Sequence, residues 1–152
     1  TSSYKQAQGF VPLSVNKQVN EGKLPSGTAS GYISVFKLHL NPDIAIHLFN
    51  AADRNWLHFV ASNRRRTLFP DVREQYAKFD IIGGKIADDQ TARTLQLYTT
   101  RAYGEPGSED ADSFAIKMLL PNRLEDQFCF CNEKAIQSLE FIRSDNYDFK
   151  HL

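Results

Sequence analysis

Between Tyr32 and Leu40 the chain alternates. Ile33, Val35, Lys37 and His39 fall on one face, and Tyr32, Ser34, Phe36, Leu38 and Leu40 on the other, the period of a half-buried strand. Upstream, Lys5 to about Val19 is only weakly periodic and reads as a helix or loop broken by Pro12. Glu21 to Gly31 is rich in Gly, Ser and Pro and reads as a mobile loop with the character of a lid. The period changes after Asp53. Trp56, Phe59, Val60 and Asn63 recur at helical spacing, so Asp53 is the expected cap and this stripe the expected core face.

A second strand is expected from Asp80 to Ala87, central in its sheet, with Gly83-Gly84 inside the apolar run. Paired glycines there predict a bulge or a place where another backbone or a ligand comes close. Asp88 or Asp89 then caps a helix starting near Gln90, with Leu95 and Tyr98 inward, and the Gly104-Glu105-Pro106-Gly107 turn ends it. Another helix follows from about Glu109 to Leu120, stopped by Pro121. Gln127 to Cys131 reads as a short strand, and Asn132 caps a helix through Ile136 and Leu139. Leu139 to Ile142 also suits a closing strand, and the pattern leaves that choice open.

Composition narrows the class. The chain has 152 residues, 41% of them apolar, and no low-complexity tract, so a single globular domain over residues 1–152 with a substantial core is expected. Eighteen basic side chains balance eighteen acidic ones, which gives no global field toward nucleic acid or an anionic membrane. The one basic run, Arg64-Arg65-Arg66, sits at the expected end of the Trp56 helix, where cations are favoured; a phosphate contact is the alternative. No apolar run reaches membrane-spanning length and no signal peptide is visible. The chain begins at Thr1 and its only methionine is Met118, so a further segment ahead of Thr1 is expected.

Few residues suggest chemistry by spacing alone. Cys129 and Cys131 share one face of a strand and read as reduced core thiols, which points to a reducing, cytoplasmic compartment. His39, His47, His58 and His151 form no ligand pattern and none has a carboxylate at a catalytic spacing, so no metal is expected. Nucleophilic-serine, phosphate-loop and complete dinucleotide-glycine motifs are missing. Asp80 suits either a capping role at the entry of its strand or the lining of a cleft, while Trp56 reads as core before ligand platform.

Three segments in order carry a resemblance: Trp56-Leu-x-Phe-Val-x-x-Asn-Arg64, Phe79-Asp-Ile-Ile-Gly-Gly-Lys-Ile-Ala-Asp-Asp89, and Asp126-Gln-Phe-x-Phe-x-x-Glu-Lys-Ala135. Together they resemble a family of small bacterial proteins placed among the ADP-ribosyltransferase-like toxins, over about Tyr32 to Ile142. The resemblance implies an α+β fold with two small antiparallel or mixed sheets and flanking helices, and NAD bound as substrate without a metal. Thr1-Ser2-Ser3 followed by Tyr4-Lys5-Gln6-Ala7 looks like the end of the family's second element, which makes Thr1, Ser2 and Tyr4 candidate NAD contacts; the basic first strand would precede Thr1.

Gln127 corresponds to the position where many transferases carry Glu, and is the candidate catalytic and NAD-binding residue. A carboxamide accepts a hydrogen bond but supplies no full negative charge where positive charge develops in the transition state. Three readings therefore stand. One is an NAD-dependent transferase-type toxin or effector acting on a macromolecular target; the second is a non-catalytic module of the same fold that binds a nucleotide or a cognate antitoxin; the third is a structural remnant of a larger chain.

Overall fold

The computed structural model describes residues 1–87, 91–120 and 124–150. It is α+β, with two small sheets and six helices among the described residues. The chain divides into two compact units, Thr1–Asn41 with Ile136–Leu152, and Pro42–Ala135. Among the described residues no helix is long and apolar enough to cross a membrane.

In the first unit, α1 (Tyr4–Asn20) starts at Ser3, whose hydroxyl accepts the Gln6 N–H at 3.2 Å. The helix runs straight through Pro12, contrary to the expected break. Pro12 cannot donate to the carbonyl four residues back, and that loss is offset by burial of its neighbours Val11 and Val15 against Ile33. The loop that follows gives way to β1 (Ser30–Leu38), where Ile33 is buried and the opposite face, including Tyr32 and Phe36, is exposed, as the alternation predicts. β1 pairs antiparallel with β5 (Leu139–Asp148) from Ser30↔Asp148 to Leu38↔Leu139, with a register shift between Val35 and Phe36. The choice left open at Leu139 resolves to a strand, and it continues six residues beyond Ile142.

The second unit is built on a three-stranded sheet in the order β2-β3-β4. β3 (Ile81–Lys85) is central, as expected, though shorter than Asp80 to Ala87. It pairs in parallel with β2 (Ile46–Leu48) and antiparallel with β4 (Asp126–Phe130). The register from Ile81↔Phe130 to Lys85↔Asp126 runs without a shift, so Gly83-Gly84 is a close approach and not a bulge. Both faces of β3 are covered. Ile82 joins the main core with Trp56, Leu57 and Leu95, and Ile81 joins a second cluster with Ile44, Ala135 and Phe128. A strand buried on both sides reads as the continuous apolar run seen from Phe79.

Five helices complete this part of the chain. α2 (Arg54–Arg64) is capped by Asp53, which accepts the Trp56 N–H at 2.9 Å. Its buried face is Trp56, Leu57, Val60 and Ala61; Asn63, expected inward, is exposed and donates its amide to the Phe59 carbonyl. Short α3 (Pro70–Tyr76), with Pro70 in the first turn, was not anticipated by periodicity. α4 (Ala92–Thr99) buries Leu95 and Tyr98 as expected; its expected caps, Asp88 and Asp89, lie outside the described residues. It ends before the Gly104 turn, at Thr100 and the left-handed Arg101. α5 (Glu109–Leu119) begins at Ser108 and ends on Leu120 in the left-handed region, with Pro121 outside the described residues. α6 (Glu133–Gln137) starts at Asn132, whose side chain accepts the Ala135 N–H at 2.9 Å.

Asp80 clasps this unit together. Its carboxylate accepts the Lys134 ammonium at 2.8 Å, the Asn132 amide at 2.7 Å and the Ala45 N–H at 2.7 Å. The Lys134 contact first, then Asn132 and Ala45, holds its pKa down from 3.8 to about 2. A carboxyl depressed by folding stabilises above its unfolded pKa, and that contribution is lost as pH falls toward the folded value. Urea denaturation of the wild type should therefore show falling stability from about pH 4 toward pH 2, and Asp80→Asn should flatten that slope. An unaltered slope would exclude the clasp as its origin.

Candidate functional site

The pairing of β3 and β4 puts one set of side chains on one surface. Ile82 lies opposite Cys129 and Gly84 opposite Gln127, so Gln127, Cys129 and, two residues on, Cys131 share a face. Phe128 and Phe130 take the other face and pack against the cluster of Ile44, Ile81 and Ala135. The thiols were expected in the core, yet both are exposed. Four consecutive apolar residues fit either parity, and the larger aromatic pair takes the buried side because it removes more apolar surface from water.

That face floors a groove of about 510 Å³. Phe59, Asn63 and Arg64 of α2 form one wall, and Arg73 and Tyr76 of α3 another, with Cys129 and Cys131 between them. A slot of about 110 Å³ adjoins it, sharing Phe59, Val60, Ile82, Ala87 and Cys129. Trp56, Gly83, Gly84, Lys85 and Gln127 close the slot. The slot has the size of a single ring, and the groove falls in the range of small-molecule sites, about 300–1,000 Å³.

The polar groups around this space differ in how committed they are. Gln127 is exposed and its carboxamide makes no hydrogen bond among the described residues. Lys85 pairs with Asp126 at 2.8 Å, and Trp56, only 2% exposed, donates its indole N–H to the Lys85 carbonyl at 3.0 Å. Trp56 is thus core, as expected, with one edge on the slot. Arg64 donates to the Ala87 carbonyl and Arg65 to the Thr99 carbonyl, so two members of the basic run brace main chain. Arg73 makes no ion pair among the described residues. Burial against the groove wall, with the neighbouring Cys129 thiol, pushes the Cys131 thiol up to about 11.

The other candidates fall in the first unit. Thr1 and Ser2 precede α1 and are exposed, and the Thr1 hydroxyl accepts the Ser3 N–H at 3.0 Å. The Tyr4 hydroxyl donates to Asp145 at 3.0 Å. Thr1, Ser2 and Tyr4 thus gather at the start of α1, while Gln127 belongs to the second unit.

Two histidines acquire carboxylate partners that spacing did not show. His39 meets Glu140 at 2.5 Å and His58 meets Asp112 at 2.7 Å. The second pair belongs to a buried hub in which Asp112 also accepts from Arg54 at 2.6 Å, from the Tyr98 hydroxyl and from the Gly107 N–H at 3.0 Å. Burial raises the Asp112 pKa, but the hydrogen bonds from Tyr98, His58 and Gly107 outweigh it and hold the group below its ordinary value. With its oxygens taken by four donors, this hub is structural. His47 packs edge-on or tilted against the rings of Phe49, Tyr76 and Phe79, and His151 lies outside the described residues. No group of three or more His, Cys, Asp or Glu side chains suited to a metal occurs among the described residues.

The resemblance had marked Gln127 but not the walls around it. Arg73 and Tyr76 lie on the unanticipated helix α3, and the thiols were assigned to the wrong side of β4. The chain belongs to the family described as protein of unknown function (DUF3990), whose sequence profile matches residues 1–141. No curated protein and no solved structure matches it.

Proposed function

We propose that the protein is an NAD-dependent, ADP-ribosyltransferase-like toxin or effector whose slot beside Gln127 receives the nicotinamide end of NAD. The observation that carries this reading is the Gln127 carboxamide, which makes no hydrogen bond among the described residues, at a ring-sized slot that adjoins a larger groove lined by Arg73, itself without an ion pair among the described residues. Gly84, on the Gln127 face, packs under Phe49 and Trp56 at the edge of the slot. The Gln127 oxygen would accept from a ribose hydroxyl, and Arg73 would face the diphosphate as a planar, always charged donor. The order of the Trp56, Phe79 and Asp126 segments supports the same assignment.

In such a reaction the bond between ribose C1′ and the nicotinamide nitrogen breaks, nicotinamide leaves neutral, and the sugar carbon takes a nucleophile from the target. A carboxamide at Gln127 gives that developing cation a dipole in place of a full charge, so turnover by the present sequence is slow. Isothermal titration should find NAD bound in the high micromolar to millimolar range, about −4 to −6 kcal/mol. Gln127→Ala should weaken binding about tenfold, the effect of losing roughly one hydrogen bond, and Gln127→Glu should raise nicotinamide release above that of wild type. Absence of NAD binding in all three would overturn this reading and favour an interaction module that meets a partner such as an antitoxin.

A further inference from the structure

We propose that Cys129 and Cys131 form a two-thiolate site for one soft, thiophilic d¹⁰ cation of the copper(I) class, with a third coordination position open to the groove. The inference is independent of the NAD reading. Both side chains are exposed, both line the 510 Å³ groove, and their Sγ atoms stand 4.0 Å apart. Their backbone is held along the β3 segment: Cys129 pairs with Ile82 on β3, and the Cys131 N–H donates to the Asp80 carbonyl at 2.8 Å.

Distances decide between a disulfide and a bound ion. A disulfide needs the sulfurs at about 2.05 Å and the Cα atoms within about 4.4–6.8 Å. Alternate residues of a strand are about 6.6–6.8 Å apart, at the end of that range. Drawing the sulfurs together would buckle the strand at Phe130, which packs in the buried cluster with Ile81 and Ala135. A metal asks for no such movement. Two thiolate bonds of about 2.3 Å, the length thiolate makes to zinc, span the observed 4.0 Å at an angle of about 120°. That is the angle of a trigonal plane, a geometry suited to a d¹⁰ monocation.

Ligand count then selects the ion. Structural zinc takes four protein ligands, and no third His, Cys, Asp or Glu joins the thiols among the described residues. Soft thiolates favour copper(I), which is satisfied by fewer donors. Binding exchanges two thiol protons for one monovalent cation, leaving a singly negative complex with no change of oxidation state. Arg64 and Arg73 line the same groove. The third ligand comes from outside the chain, either water or a small-molecule thiol.

The test is an anaerobic titration of the reduced protein with copper(I) against a chromophoric copper(I) chelator, using wild type, Cys129→Ser and Cys131→Ser. Wild type should withhold one copper(I) per chain from the chelator. Each single variant should lose more affinity than the about 10- to 100-fold typical of removing an outer-shell partner. X-ray absorption of the wild-type complex should show three-coordinate copper with at least two sulfur ligands, a readout that does not depend on the variants folding. Equal retention by wild type and variants, two ions bound independently, or zinc(II) held more tightly than copper(I) would each overturn the proposal.

Discussion

Asp112→Ala should destabilise the second unit by about 3 kcal/mol, the low end of the 3–5 kcal/mol typical when one member of a buried charge network is removed. The low end applies because Arg54, one of the four donors, is half exposed and regains water when released. The other three have less recourse. The Tyr98 side chain is fully buried, His58 is stacked on Phe69 with ring centroids 4.0 Å apart, and the Gly107 N–H is held between Asp112 and the Tyr98 hydroxyl. Removing the carboxylate takes the acceptor from Tyr98 and His58 and leaves the Gly107 N–H only the Tyr98 hydroxyl, which is more costly than deleting a hydrogen-bonded pair together.

The network also fixes a sign for pH. Burial and the hydrogen bond to Asp112 push the Tyr98 phenol pKa well up, so it remains a donor throughout the range in which the protein is folded. Asp112 is held below its ordinary value, so its contribution is present above pH 3.8 and is lost as pH falls below that. Tyr98→Phe should cost less than Asp112→Ala, about 1–1.5 kcal/mol. The double variant should cost less than the sum, because both remove the same bond. Thermal and urea melts of the four proteins decide it, and an Asp112→Ala melt within about 0.5 kcal/mol of wild type would show that the hub holds nothing together.

What could be read from the sequence, and what could not, follows from the range of the interactions involved. The Asp53 and Asn132 caps, the inward Leu95 and Tyr98 and the central β3 were legible because each is a local pattern of a few residues. β2 is three residues long and exists because Ala45 to Leu48 lie beside β3, which no period reveals. The tail of β5 is mostly polar, Arg143-Ser144-Asp145-Asn146, and becomes a strand through its pairing with β1. His58 and Asp112 are 54 positions apart, so spacing could not join them. At the candidate site Gln127 was legible through the resemblance, but the side of β4 taken by the thiols depended on the pairing partner of Phe130.

The last expected result joins fold to site. A Cβ added to Gly84 would lie 3.1 Å from the Phe49 Cβ and 3.2 Å from the Trp56 Cδ1, closer than ordinary van der Waals contact. Neither neighbour gives easily, since Phe49 is buried and Trp56 is both buried and tied by its indole N–H to the Lys85 carbonyl. Gly84→Val adds two further methyl groups to that contact and should cost about 1–3 kcal/mol by overpacking. For a chain of this size each kcal/mol lowers the melting temperature by about 2–4 °C. The same methyl groups enter the slot beside Gln127, so any ligand seated there should be lost in parallel with stability. Gly9 supplies the contrast. It lies within α1 and a Cβ there meets nothing within 4 Å, so Gly9→Ala should stabilise by about 0.5–1 kcal/mol through helix propensity. If both substitutions left the melt unchanged, the close approach at Gly84 would not be a constraint on this sheet, and the glycine edge of the slot would lose its structural reason.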